Sequence, residues 1–264
     1  MTPTRDTRHA FDANASQIWR GVLGGTRDVI RQELVFRQLT EHVSGRSLRV
    51  LDIGCGQGSQ AVRLAWAGHQ VTGVDPSPEM QGLFKQARDE QPAHVRDRLD
   101  LVDATGQRIA DFLDPASFDL VLCQGVLAYL SESESDELLS AIRRVLVSGG
   151  LLSLLTVNGD ALAMQPGLSG DWSAARDALR QPGRFTTRSG VPLRAVGREE
   201  LLTWLGEHAF EEVSWYGVRV FTDRAGDTEP AQDLTDLLAV EQQAGRTDPY
   251  RRVAAFVHTV SIRK

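Results

Sequence analysis

Cysteine and lysine are nearly missing from this chain. It has two cysteines in 264 residues, Cys55 in a glycine-rich turn and Cys123 in an apolar run. That count excludes a disulfide framework and a cysteine-built metal site. The only lysines are Lys85 and Lys264, so nearly all positive charge is Arg, and the formal net charge of -6 argues against holding nucleic acid by bulk charge. A local basic patch is the remaining route to such a partner. No apolar run approaches the roughly 20 residues that cross a bilayer, and MTPTRDTRHAFD lacks the apolar core of a secretory leader. A cytoplasmic location without membrane association is therefore expected. The six histidines, at positions 9, 42, 69, 94, 208 and 258, show no metal-ligand spacing, and no metal is expected.

The remaining composition, 41% hydrophobic and 24% charged, is that of a globular domain large enough to bury a core. Apolar residues Ile30, Leu34, Leu39 and Val43 predict a helix within 27–43. Strands at 48–53, 71–75, 99–102, 118–123 and 151–157 then alternate with helices over 61–67, from Pro78 towards Glu90, and around Leu138 to Leu146. Gly149 and Gly150 are expected to end the last of these helices. Such alternation predicts a mostly parallel sheet with helices on both faces, because parallel neighbours need crossovers. Residues 158–197, rich in Gly, Pro, Ser and Arg, lack sustained periodicity and read as an inserted lid over the site. A helix over 198–208 and strands over 213–221 and 255–262, forming an antiparallel edge, complete the chain. The division expected is one domain in four parts: a helical segment (1–47), a core (48–157), a lid (158–197) and a helix with edge strands (198–264).

The chemistry is concentrated in LDIGCGQG. Asp52 closes a strand, and the glycines that follow let the backbone turn and approach a ligand. Asp75 ends the next strand 21 residues after Gly54, where a carboxylate accepts hydrogen bonds from ribose hydroxyls. An adenosine-containing ligand fits. The glycine order is G-x-G-x-G with Ser59 next, which departs from the dinucleotide fingerprint and disfavours a nicotinamide enzyme.

LDIGCGQG, GVDPSPEM, FDLVLCQGVLAYL and RRVLVSGGLLSL, in this order and spacing, resemble the class I S-adenosylmethionine-dependent methyltransferases. That resemblance implies a Rossmann-like α/β fold with a mostly parallel seven-stranded sheet, and S-adenosyl-L-methionine as cofactor. It places the backbone of Gly54, Cys55 and Gly56 on the amino-acid portion of the cofactor, and Asp52 is counted among the cofactor-binding residues. Asp75 falls on the ribose, Thr105 and Gly106 on the adenine, and Gln124 at the methionine end. Ser148 stands where many relatives have Pro, at a position expected to cap the helix.

Three outlying segments, GGTRDVIRQELV, GVRVFTD and DPYRRVAAFVHTVSIRK, resemble one subfamily, the tRNA carboxymethoxyuridine methyltransferases. The resemblance implies that Arg31 pairs with the cofactor carboxylate. It makes Arg219 a candidate partner for an anionic acceptor, with Tyr129, Asn158 and Tyr216 as neighbours. A carboxylate acceptor needs no general base, and none is evident, so no catalytic residue is assigned. Arg176, Arg180, Arg184, Arg188, Arg194 and Arg198 have only Asp177 among them as an acidic counterpart. They are a candidate phosphate-contacting face, although Pro182 and Gly183 interrupt any continuous helix through them. Methyl transfer to an anionic acceptor, tRNA among them, stands beside transfer to a small metabolite and beside a non-catalytic cofactor-binding role. Oligomeric state is left open.

Overall fold

The computed structural model describes residues 24–43, 45–181, 183–186, 192–224 and 234–264. Helix α1 (Thr26–Thr40) leads into β1 (Arg49–Ile53), α2 (Ser59–Trp66), β2 (Gln70–Val74), α3 (Pro78–Asp89), the short α4 (Ala93–Arg96) and β3 (Leu99–Val102). A second short helix, α5 (Ile109–Phe112), precedes β4 (Phe118–Gln124), α6 (Glu132–Val145) and β5 (Leu146–Val157). Then come α7 (Met164–Leu168), α8 (Trp172–Arg180), a hairpin of β6 (Arg184–Thr186) and β7 (Pro192–Arg194), and α9 (Arg198–Glu207). Strand β8 (Phe210–Val218), α10 (Thr235–Ala244) and β9 (Phe256–Arg263) follow.

The sheet has seven strands in the order β3-β2-β1-β4-β5-β9-β8. Strands β1 to β5 run parallel to one another, and β9 is antiparallel to both β5 and β8. This is the Rossmann-like methyltransferase architecture expected from the sequence. Strand order reverses at β1, which lies between β2 and β4, so the carboxyl ends of these strands open a crevice there. Pro78 occupies the first turn of α3, and the Ser77 hydroxyl accepts from the Met80 N–H. A capping box of Ser131 and Glu134 starts α6.

Four local expectations need correction. Gly149 and Gly150 do not end α6, which stops at Val145; they lie inside β5, where the register with β4 slips between Phe118–Leu146 and Leu120–Leu151. Gly149 takes φ 74°, so the pair and Ser148 serve a bulge, because a bulge also demands left-handed backbone. Strand β8 ends at Val218, short of the expected 221, because Arg219 adopts φ 62° and the N–H groups of residues 220 to 222 turn to the Glu241 carboxylate. Segment 158–197 contains α7, α8 and the β6–β7 hairpin, elements too short to give sustained periodicity. Asp171 caps α8 by accepting from the Ala174 N–H at 3.0 Å. Helix α10 had no counterpart in the sequence reading.

Helix α1 buries Ile30, Leu34 and Val35 against Leu155 of β5, Val218 of β8 and Leu238 of α10. Gln60 and Arg63 of α2 bond α1 through Gln32 and Glu33. Its amino-terminal half is thereby fixed beside the crevice. Among the described residues, no helix is long and apolar enough to cross a membrane, and no group of three or more His, Cys, Asp or Glu is placed to hold a metal.

Candidate functional site

A cleft open to solvent occupies the crevice above β1, β2 and β4. Arg31, Asp52, Gly54, Cys55, Gly56, Asp75, Thr105, Gly106 and Gln124 all line it. Every residue that the sequence placed on a cofactor therefore meets in one cavity. Gln32 and Gln60, which join α1 to α2, also line it, as do Met80 and Gln107. Their polar or apolar character is too common to have marked them in advance.

The glycine turn is tied down on both sides. The Gly54 N–H donates to the Val74 carbonyl at 2.7 Å, and the Gly56 N–H donates to Asp75 Oδ2 at 3.0 Å. Asp75 Oδ1 accepts from the Ser77 N–H at 2.9 Å. Gly54 has φ 66°, and a Cβ built there would lie 2.6 Å from Val126 Cγ2, so the backbone forms the cavity wall where a side chain has no room.

Two carboxylates share the cavity floor. Burial, and secondarily the nearby Asp75 charge, pushes the Asp52 carboxyl up to about 7. Asp75 is also raised, by burial first and by Asp103, against the opposing pull of its two backbone hydrogen bonds. A raised carboxyl pKa means that the fold favours protonated Asp52. Its stabilising contribution is present below the unfolded value, 3.8, and lost as pH rises through about 7. A cation beside Asp52 would reverse that penalty. Burial raises both thiols, Cys123 to about 12, so neither is a nucleophile at neutral pH.

The four acceptor-side candidates do not converge. Tyr129 lines the cleft, and Asn158, Tyr216 and Arg219 do not. Asn158 is buried with its amide donating to the carbonyls of Arg252 (3.0 Å) and Ala254 (2.9 Å) and its Oδ1 accepting from the Asp160 N–H. Its hydrogen-bonding capacity holds the chain crossing at the end of β5. The Tyr216 hydroxyl bonds His42 Nε2 at 2.7 Å, and its ring stacks on His258. Arg219 pairs with Asp223 and lies over the Phe256 ring, and burial and the neighbouring Arg27 and Arg31 guanidiniums lower its pKa. Arg31 itself pairs with Asp28 at 2.6 Å.

The lid expected from 158–197 contributes no described residue to the lining of this cleft. Nor do its arginines form one face. Arg194 pairs with Glu132 and Glu200 and stacks on Trp204, and Arg198 pairs with Glu212 and lies over Trp215. These acids lie outside 176–198, so the charge count within that stretch does not include them. Arg176, Arg180 and Arg184 are exposed; Arg188 and Pro182 fall outside the described residues.

Residues 51–154 match the family described as "Methyltransferase domain". The chain is 29% identical over 255 residues, 95% of each protein, to the tRNA 5-carboxymethoxyuridine methyltransferase of Escherichia coli (strain K12). It is 34% identical over 122 residues, 46% of each chain, to a ubiquinone biosynthesis O-methyltransferase of Xylella fastidiosa (strain M23). Among solved structures, it resembles magnesium protoporphyrin IX methyltransferase from Synechocystis PCC 6803 (TM-score 0.64, 18% identity, 98% of this chain and 100% of that one). It also resembles 1,6-didemethyltoxoflavin-N1-methyltransferase from Burkholderia thailandensis (TM-score 0.60, 16% identity, 100% and 93%), solved with S-adenosylhomocysteine bound. At those identities, the structural likeness speaks to the fold.

Proposed function

Because this chain is an S-adenosyl-L-methionine-dependent methyltransferase, we propose that its acceptor is a carboxylate, that of a 5-carboxymethoxyuridine in tRNA. The observation that carries this reading is the match to the E. coli enzyme of that name over 95% of both chains, which extends well beyond the methyltransferase core at 51–154. The guanidinium of Arg31 lines the cleft and lies near enough to that of Arg219 for the two charges to interact, which supports an anionic acceptor.

The cavity suits the cofactor on the chemistry of its lining. Asp75 accepts from ribose hydroxyls with the lone pairs its backbone bonds leave free, and Thr105 and Gly106 flank the adenine. The backbone of Gly54, Cys55 and Gly56 receives the amino-acid portion, Asp52 favours its ammonium and Arg31 its carboxylate. When bound, S-adenosyl-L-methionine supplies an electrophilic methyl on a sulfonium. The protein's task is alignment and exclusion of water, since a carboxylate is already a nucleophile and no proton must be removed.

The direct test supplies methyl-labelled cofactor with tRNA that carries 5-carboxymethoxyuridine, and with the same tRNA bearing unmodified uridine. Label is expected only in the first, as an ester that alkali releases. Label in neither, from a protein that binds the cofactor, would reject tRNA and leave transfer to a small metabolite or a non-catalytic role. The Asp52 reading makes a separate prediction. Cofactor binding is expected to tighten as pH rises from about 6 to about 8 and to release a proton near neutrality, because an ammonium favours ionised Asp52. Calorimetry in two buffers of different ionisation enthalpy measures that proton, and equal heats in both would contradict the assignment.

A further inference from the structure

A line of buried polar groups runs from α1 through the sheet to the cavity. Gln38 of α1 donates from Nε2 to the Gly217 carbonyl at 3.4 Å, and its Oε1 lies 2.8 Å from His258 Nδ1. His258 Nε2 is 2.9 Å from Ser153 Oγ, which lies 3.3 Å from Gln124 Nε2. Gln38, His258 and Ser153 are wholly inaccessible to solvent, and Gln124 lines the cleft.

The polarity of the line follows from bookkeeping. A carbonyl only accepts, so Gln38 must turn its NH2 to Gly217 and its oxygen to His258. Nδ1 of His258 therefore carries the hydrogen. Burial holds this imidazole neutral, down to about 3, so Nε2 is bare and accepts the Ser153 hydroxyl hydrogen. Ser153, having spent its one hydrogen, offers Gln124 only a lone pair. The NH2 of Gln124 must face Ser153, and its Oε1 has no hydrogen-bond partner among the described residues.

We propose that Gln38, His258 and Ser153 are positioning residues: they hold the Gln124 amide with its carbonyl oxygen, and not its NH2, turned towards the sulfonium end of the cofactor. The inference rests on the cofactor reading of the cavity given above. A fixed carbonyl dipole favours a cation over a neutral group of the same shape, so it discriminates the sulfonium substrate from the thioether product. A freely rotating amide would not.

The test compares affinity for S-adenosylmethionine with affinity for S-adenosylhomocysteine on one preparation, a ratio insensitive to the folded fraction. Ser153→Ala is expected to shift the ratio against S-adenosylmethionine by about three- to tenfold. Adding Gln124→Glu, which presents oxygen in either orientation, should restore it. Gln124→Met, which cuts no hydrogen bond between fully buried groups, should lose the preference and serves if Ser153→Ala does not fold. An unchanged ratio in Ser153→Ala or Gln124→Met, or a double variant no better than Ser153→Ala, overturns the positioning role while leaving the cofactor site intact. A wild-type protein that binds neither ligand overturns the cofactor reading and this inference together.

Discussion

Replacing Glu241 with alanine is expected to lower the free energy of unfolding by about 3–5 kcal/mol, a large share of the roughly 5–15 kcal/mol typical of a domain. Glu241 is 1% exposed, and its carboxylate accepts the N–H groups of Val220 (2.7 Å), Phe221 (2.9 Å) and Thr222 (2.7 Å). Those donors follow Arg219, whose left-handed φ turns the chain out of β8, so no strand neighbour is placed to receive them. Alanine would strand three N–H groups at once, each at a desolvation cost. Glu241→Gln keeps one acceptor oxygen and sets an NH2 against the remaining donor, so a smaller loss, about 1–2 kcal/mol, is expected. Urea unfolding measures both, and an alanine variant within about 1 kcal/mol of wild type would show that water readily replaces the carboxylate. Because the same loop carries Arg219, catalysis with an anionic acceptor should fall even in alanine protein that remains folded.

The other large effect is expected at the glycine turn. Gly54→Ala should weaken binding of S-adenosyl-L-methionine by about 10- to 100-fold, from two separable causes. One is backbone strain, since φ 66° costs a non-glycine residue about 1–2 kcal/mol. The other is the approach of the new methyl to Val126 Cγ2, at 2.6 Å before any relaxation. Pairing Gly54→Ala with Val126→Ala removes the second cause and leaves the first, so partial recovery is expected in calorimetric titration. Complete recovery would mean that the turn tolerates a side chain there, and no recovery that Val126 is not what the methyl meets.

The two halves of the site differed in how far the sequence revealed them. Asp52, the glycines and Asp75 could be read because each sits at the carboxyl end of its own strand, where residue type and spacing along one short stretch determine the geometry. Arg219, Asn158 and Tyr216 depend on contacts with distant segments, and spacing carries no information about those. Glu241 was invisible for that reason: its three donors lie about 20 residues away and across a turn. The paired glycines at 149 and 150 misled because a helix C-terminus and a bulge both demand left-handed backbone. The arginines of 176–198 misled differently, since the glutamates that neutralise Arg194 and Arg198 come from other elements.

The seating of α1 also bears on the order in which this chain acquires structure during synthesis. Gln38 and His258 are 220 residues apart, and the apolar face of α1 is covered by β5, β8 and α10. A ribosome that has released only the first half of the sequence has made the glycine turn and Asp75, but nothing that covers Ile30 and Leu34 as the finished fold does. Contacts of such long range slow folding and leave apolar surface open to aggregation in the interval. The cofactor, which shares a wall with α1, is expected to stabilise the fold by mass action only once α1 is seated. Supplying it to a nascent chain should therefore protect late intermediates and leave early ones as vulnerable as before.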